Sequence, residues 1–423
     1  VALPFSPWAS VLFAALFGLG WQDYLQVKQA VRRNYPLTGR LRYALEYIRP
    51  EIRQYFLEDD EQKLPFSRNE RAMVYARSKE QNDKRGFGSI KDMYSPGTEW
   101  ITHSMRPEHI DPASLRVQVG GPECSQPYAM SLLNISGMSF GALSPNAIKA
   151  LNKGAAKGGF AHDTGEGSIS VHHREPGGDL VWQIASGYFG CRTPDGRFDP
   201  ERFAAQDCVS PARHSAFATP VELLAFVGEL RRLSGGKPVG IKLCVGHPGE
   251  WFAIVKAMLQ TGQTPDFVVV DGAEGGTGAA PIEFADHVGM PLRDGLRLVH
   301  NSLVGCHTDH CPTGVATQDP VRQRAIVVTD KAERVFHFHA NTLNALAELL
   351  GAAGLQSPGQ ISPAHVMQRT ANGQARPLAS QIDTLAPACL LDPQARPEDW
   401  PLPFSSDWAA ARAEAWGPVH GAP

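Results

Sequence analysis

Cys306 to Pro320, CHTDHCPTGVATQDP, holds the densest set of residues able to do chemistry. Two cysteines flank four residues that include His and Asp, and Pro-Thr-Gly turns the chain just beyond them. Thiolates presented on one short loop suit an iron–sulfur cluster or another metal better than a disulfide, although a cluster is normally held by three or four cysteines. A zinc site from Cys306, His310, Cys311 and one distant residue is the alternative, and its spacing matches no common zinc module.

Asp271 to Pro281, DGAEGGTGAAP, follows the apolar run DFVVVD. Gly275, Gly276, Thr277 and Gly278 form a loop in which backbone amides can approach an anion or a flat ring without Cβ interference. It has neither P-loop nor GxGxxG spacing, so neither ATP nor a Rossmann-bound dinucleotide is indicated, and a plain strand–helix turn is the bland alternative. Ser136, Gly137 and Met138 open a second such loop, SGMSFG, which simple turn chemistry would also explain. Lys242 lies inside the apolar strand VGIKLCV, where an unpaired ammonium is costly, so it should face a ligand or a carboxylate. His162, Asp163 and Glu166 cluster in FAHDTGEGS, and SPARH ends at His214; either could bind a dicarboxylate or move a proton, or be a surface loop. His172 and His173 are expected to face solvent. Cys191, Cys208 and Cys244, on or near strands, are expected to be buried apolar fillers.

These residues need elements to hold them. From residue 129 short apolar runs, each ending in glycines and small polar residues, alternate with helical periods, which implies parallel β/α units with ligands at the carboxyl ends of the strands. Ser144-Pro145 predicts a capped start for the helix NAIKALNKGAAKGG. Residues 321–355 predict an amphipathic helix, and after Gln356 a Pro- and Ala-rich tail, 356–423, whose end should be loosely held.

Residues 1–22 carry no charge, and at 1.5 Å per residue they reach about 33 Å, roughly a bilayer's hydrocarbon thickness. They are expected to anchor the chain in a membrane, with Lys28, Arg32, Arg33, Arg40 and Arg42 on the cytoplasmic side; a signal-peptide core or a docking helix is the alternative. The first residue is Val, so a start further upstream is expected. Residues 23–128 form a charged, partly helical cap. The net charge of −3 offers no general attraction to nucleic acid, and seven scattered cysteines suit a reducing compartment.

NISGMSFGALSPNAI, FAHDTGEGS, ASGYFG, DGAEGGTGAAP and CHTDHCPTGVATQDP together resemble the FMN-binding glutamate synthase family. RNYPLTGRLRYALEYIRPEIRQYF resembles the region that its short, membrane-anchored members without a glutaminase domain carry after their hydrophobic segment. The resemblance implies an α/β fold, a β/α (TIM) barrel over 129–355 that binds FMN. It implies Ser136, Gly137, Met138, Lys242 and the 275–278 loop at the flavin, Lys242 stabilising negative charge near the reduced ring, and His214 at the substrate. A 3Fe-4S cluster would relay electrons from a donor protein or reductase subunit, and 2-oxoglutarate and ammonia would yield glutamate. Glutamine hydrolysis is not expected of this chain, so ammonia or a separate amidotransferase subunit would supply nitrogen.

Two junctions depart from the family pattern. The strand expected after Ala205 is missing, and Gly305 runs directly into Cys306, where the family continues with two strands, their flavin-phosphate loops and the first cysteine of C-x5-C-x4-C. Cys306 and Cys311 then stand as the second and third ligands. Five strand-like segments remain (130–135, 160–163, 207–210, 239–245 and 266–271) of the eight a closed barrel needs. The rival reading is a catalytically inactive remnant, a membrane-tethered scaffold.

Overall fold

The computed structural model describes residues 7–26, 30–41, 66–84, 86, 88–89, 91–193, 197–199, 214–275, 287–303, 327–381, 396–401 and 404–416. The chain divides into two compact units, Val1–Tyr75 and Ala76–Pro423.

In the first unit α1 spans Pro7–Leu25 and α2 spans Ala30–Asn34. The apolar side chains of α1 are exposed on all sides, Trp8 and Phe17 by 81% and 72%. Among the described residues no helix is long and apolar enough to cross a membrane. The first charged side chain of α1, Asp23, is buried because Arg32 Nε (2.9 Å), Arg40 Nε (2.7 Å) and the Leu37 amide (3.2 Å) all donate to it. A buried carboxylate needs such donors.

Helix α3 (Arg68–Ser78) runs across the division. The second unit continues with β1 (Glu99–Ile101), β2 (Arg116–Val119), β3 (Tyr128–Ser131), α4 (Pro145–Gly158), β4 (His162–Asp163), α5 (Val171–Arg174), β5 (Leu180–Val181) and α6 (Pro220–Leu233). Then come β6 (Ile241–Cys244), α7 (Pro248–Thr261), β7 (Val268–Asp271), α8 (Leu292–Leu303), α9 (Val328–Ala352), β8 (Val366–Arg369), β9 (Ala375–Pro377) and α10 (Phe404–Ala410).

Pairing is parallel in β4–β5 and in β6–β7, and Ile135 bridges to His162 in the same sense. The β/α alternation read from the sequence thus holds at these strands, but the described residues do not form a closed barrel. The expected strand at 130–135 is corrected. Tyr128–Ser131 returns on Arg116–Val119 as an antiparallel hairpin, and only Ile135 joins the parallel set. The expected strand at 207–210 lies outside the described residues.

Helix α4 begins as its sequence predicts, with the Ser144 hydroxyl accepting from the Ala147 amide and Pro145 in the first turn; it ends at Gly159 in the left-handed region. It packs on α9 at a distance only glycine allows, since a Cβ on Gly154 would lie 2.6 Å from Val335 Cβ.

The tail is not loose where it is described. Trp400, Phe404 and Trp408 pack against a core of Leu224, Trp251, Phe252, Val255 and Leu298, and Lys256 Nζ donates to the carbonyls of Trp408 (2.6 Å) and Ala411 (2.8 Å). Its Pro- and Ala-rich composition hid these aromatic anchors. Phe252 is fully buried and meets Trp408 edge-on at 5.7 Å. Phe252→Ala should therefore cost about 3–5 kcal/mol in chemical denaturation, and limited proteolysis should then cut the chain near α10.

Candidate functional site

The parallel strands carry the site at their carboxyl ends. The Asp163 amide donates to the Ile135 carbonyl (3.0 Å) and the Thr164 amide to Val181 (2.9 Å), so three chain segments leave side by side. They lead into SGMSF, TGEGS and WQIAS. The first two loops pack backbone to backbone. Gly165, at φ 63°, has no room for a Cβ, which would lie 2.5 Å from the Ser139 nitrogen, and the Gly167 amide donates to Ser139 Oγ at 3.1 Å.

Gly137 lies under two polar groups. A Cβ there would fall 2.4 Å from Gln183 Oε1 and 3.1 Å from Asp163 Oδ1. Asp163 Oδ1 accepts from the Gly165 amide at 2.9 Å. Gln183 Oε1 is buried and has no hydrogen-bond partner among the described residues. Burial pushes the Asp163 carboxyl up to about 6; the Gly165 amide and the Lys242 ammonium pull against this, and the Asp271 carboxylate adds to it. Lys242 and Asp271, on adjacent strands β6 and β7, are near enough for their charges to act on Asp163, and they form an ion pair with each other.

Of the residues anticipated from sequence, Ser136, Gly137 and Met138 follow Ile135 at the end of the β4–β5 pairing, and Lys242, on the separate β6–β7 pair, finds the carboxylate its strand position demanded. Gly275 closes a turn by donating its amide to the Gly272 carbonyl at 3.0 Å, and Glu274 in that turn accepts from the Leu292 amide at the start of α8 (3.0 Å). Gly276, Thr277, Gly278, Cys306 and Cys311 lie outside the described residues. His214 Nδ1 lies 3.1 Å from the Tyr188 hydroxyl, and its ring stacks on Phe217.

Two expectations are corrected. His173 is fully buried rather than exposed, because it completes a capping box in which Nδ1 accepts from the Ser170 amide (3.1 Å). Cys244 is exposed at the end of β6 rather than a core filler, unlike Cys191, whose thiol burial pushes up to about 12. Gln183 went unnoticed in the sequence because β5 is two residues long and gives no periodic signal.

The conserved region of glutamate synthase matches residues 78–195, 202–305 and 302–356, more than half of the chain. The chain belongs to the glutamate synthase family. The glutamate synthase large subunit-like protein YerD of Bacillus subtilis is 32% identical over 496 aligned positions, 86% of this chain and 94% of that relative. The archaeal glutamate synthase (NADPH) of Methanocaldococcus jannaschii is 26% identical over 53% of this chain and 59% of its own length. A glutamate synthase large subunit-like protein of Rhizobium meliloti is 30% identical over 38% of this chain and 42% of its own. An alignment of 496 positions is longer than this 423-residue chain, so the Bacillus relative has residues at positions where this chain has none. The family match also breaks at 305, the Gly305–Cys306 junction.

Behind the site the rings of His162 and His173 lie 5.2 Å apart, both fully buried. Both nitrogens of His162 and Nε2 of His173 have no partner among the described residues. Burial, and then the neighbouring imidazole, lowers His162 to about 3; burial, and then His172, lowers His173 to about 4. An unfolded histidine titrates near ~6.5, so between that pH and ~4 the unfolded chain binds protons that the folded chain refuses. Their contribution is full above pH ~6.5 and is lost as pH falls. Asp163 acts oppositely, since its raised value makes the folded state the better proton binder between ~4 and about 6. The histidines outnumber it, so stability should fall on acidification from pH 7 to 5. In His162→Phe that slope should be shallower in urea melts across the same range.

Proposed function

We propose that this protein is a glutamate synthase-like oxidoreductase that forms glutamate from 2-oxoglutarate and ammonia, with FMN and electrons relayed through an iron–sulfur cluster. The observation that carries the reading is the convergence of Asp163, Gln183, Lys242 and Asp271 beside glycine loops at the carboxyl ends of parallel strands, in a member of this family.

The loops at 136–140 and 164–168 suit a flat ring. Glycine stands where a Cβ would collide, which leaves main-chain groups free to approach it. Ser136, Gly137, Met138 and Lys242 would hold FMN, and bound FMN supplies the hydride for the imine carbon. Lys242 would turn its ammonium to negative charge on the reduced ring, and its ion-pair partner Asp271 orients it. Asp163, which titrates close to neutrality, can hold a proton on its carboxyl and pass it to the imine nitrogen. The cluster loop lies outside the described residues.

The chain with added FMN should show flavin absorbance and should convert 2-oxoglutarate and ammonium to glutamate with a chemical reductant; a preparation that takes up no FMN sinks the proposal. Lys242→Met should weaken FMN retention in equilibrium dialysis at least tenfold.

The second reading, an inactive remnant, is favoured by the residues missing relative to the Bacillus protein and by the break at Gly305. With only Cys306 and Cys311 on the loop, a cluster would lack a third local thiolate. Anaerobically purified protein should then contain well under about three irons per chain. Attachment to a membrane through α1, with the larger unit on the cytoplasmic side, belongs to the same proposal. Its support is the exposed apolar surface of α1 and the basic residues Arg32, Arg33 and Arg40 that follow. Deleting residues 1–26 should release the protein from sedimented membranes.

A further inference from the structure

The unmet acceptor above Gly137 has a specific chemical meaning. Gln183 Oε1 is buried without a donor among the described residues, and a buried carbonyl oxygen left unpaired is destabilising. The Asp163 carboxyl closes on the same point, so two oxygen acceptors from different loops face one small volume. The charged groups around Asp163 are Lys242 on β6 and Asp271 on β7, and these largely cancel each other as an ion pair. With Asp163 ionised the cluster therefore carries one net negative charge. What completes it is a small cation rich in N–H donors.

We propose that Gln183 and Asp163 form the nitrogen subsite of this protein, a pocket that binds ammonium directly through the Gln183 amide oxygen and the Asp163 carboxylate. The identity of the cation rests on the proposed glutamate-forming reaction; the acceptors themselves do not. Ammonium offers four N–H donors, so one ion can satisfy both oxygens and keep donors for an incoming carbonyl oxygen. Asp163 then takes one proton from it, leaving ammonia with a free electron pair that attacks the carbonyl carbon. The C–N bond forms as the carbon–oxygen bond breaks, and the oxygen leaves as water with two of the nitrogen's hydrogens, which gives the imine. The same carboxyl keeps that proton for the nitrogen when the imine carbon accepts hydride, which gives the neutral amine; the ammonium form of the product takes its last proton from solvent. Gln183 acts as the positioning residue. It carries no titratable group and only fixes where the nitrogen sits.

The test needs neither flavin nor turnover. Thermal unfolding of the full chain is followed in ammonium, potassium and sodium chloride at matched ionic strength, at pH 8 and pH 5. Ammonium should raise the midpoint saturably above both alkali cations at pH 8. The increment should vanish at pH 5, where Asp163 is protonated. It should also vanish in Asp163→Asn, whereas Gln183→Glu, which adds a charge at the same reach, should lower the half-saturating ammonium concentration several-fold. Equal midpoints in all three salts would overturn the proposal; in that case the Gln183 amide donates to Asp163 and the pair satisfies itself. Equal effects of potassium and ammonium would overturn it too, because they mark an alkali-cation site. Failure here leaves flavin uptake untouched, and failure of flavin uptake leaves the ammonium effect measurable.

Discussion

The structure of the larger unit depends on the main-chain pairing that fixes Asp163 between its neighbours. Its amide is held by the Ile135 carbonyl, and the next amide by Val181. Strand residues alternate in direction, so this pairing also decides where the side chains go. Asp163 turns toward Gly137 and the ion pair of β6 and β7, while His162 turns toward His173 on α5. A slip of one residue would exchange the carboxyl for an imidazole and remove the chemistry. The glycines at 137 and 165 are the counterpart of this pairing: they let neighbouring loops approach so closely that main chain meets main chain.

Electrostatics follow from that geometry. Lys242 and Asp271 neutralise each other across adjacent strands, which spares the sheet end an uncompensated ammonium. Asp163 has no such partner and is pushed toward neutrality, the condition for moving protons near physiological pH. The two buried histidines behind it have the reverse character. Their burial keeps them uncharged, and they close the TGEGS loop against α5 through the Ser170 capping box. On β4 the two neighbours thus differ: the Asp163 carboxyl holds a proton more readily than an ordinary carboxyl, and the His162 imidazole less readily than an ordinary one.

Membership of the glutamate synthase family and the missing residues bear on each other. The parts of the family pattern that are present build the parallel strand ends and their glycine loops. The family match is interrupted between 195 and 202 and again at 305, and the Bacillus protein has residues at positions where this chain has none. A sheet completed by fewer strands must cover its edges in another way. The C-terminal segment lays Trp400, Phe404 and Trp408 against α7, a helix face rather than a strand edge.

The sequence by itself determined the local chemistry. It settled the family through short motifs, the start of α4 through Ser144 and Pro145, the site loops through glycine clusters after apolar runs, and the need of Lys242 for a partner. Each of these depends only on neighbours in the chain, by way of backbone freedom, capping or the cost of burying a charge. Tertiary structure decided the rest. That Asp271 is the partner, that Asp163 and Gln183 converge on Gly137, that His173 is buried and that the tail is anchored by tryptophans all involve contacts between distant segments. His214 is placed in the same way: its neighbour Tyr188 comes from another loop. No local pattern encodes such meetings, because they are set by strand register and by how helices of particular volume pack against one another.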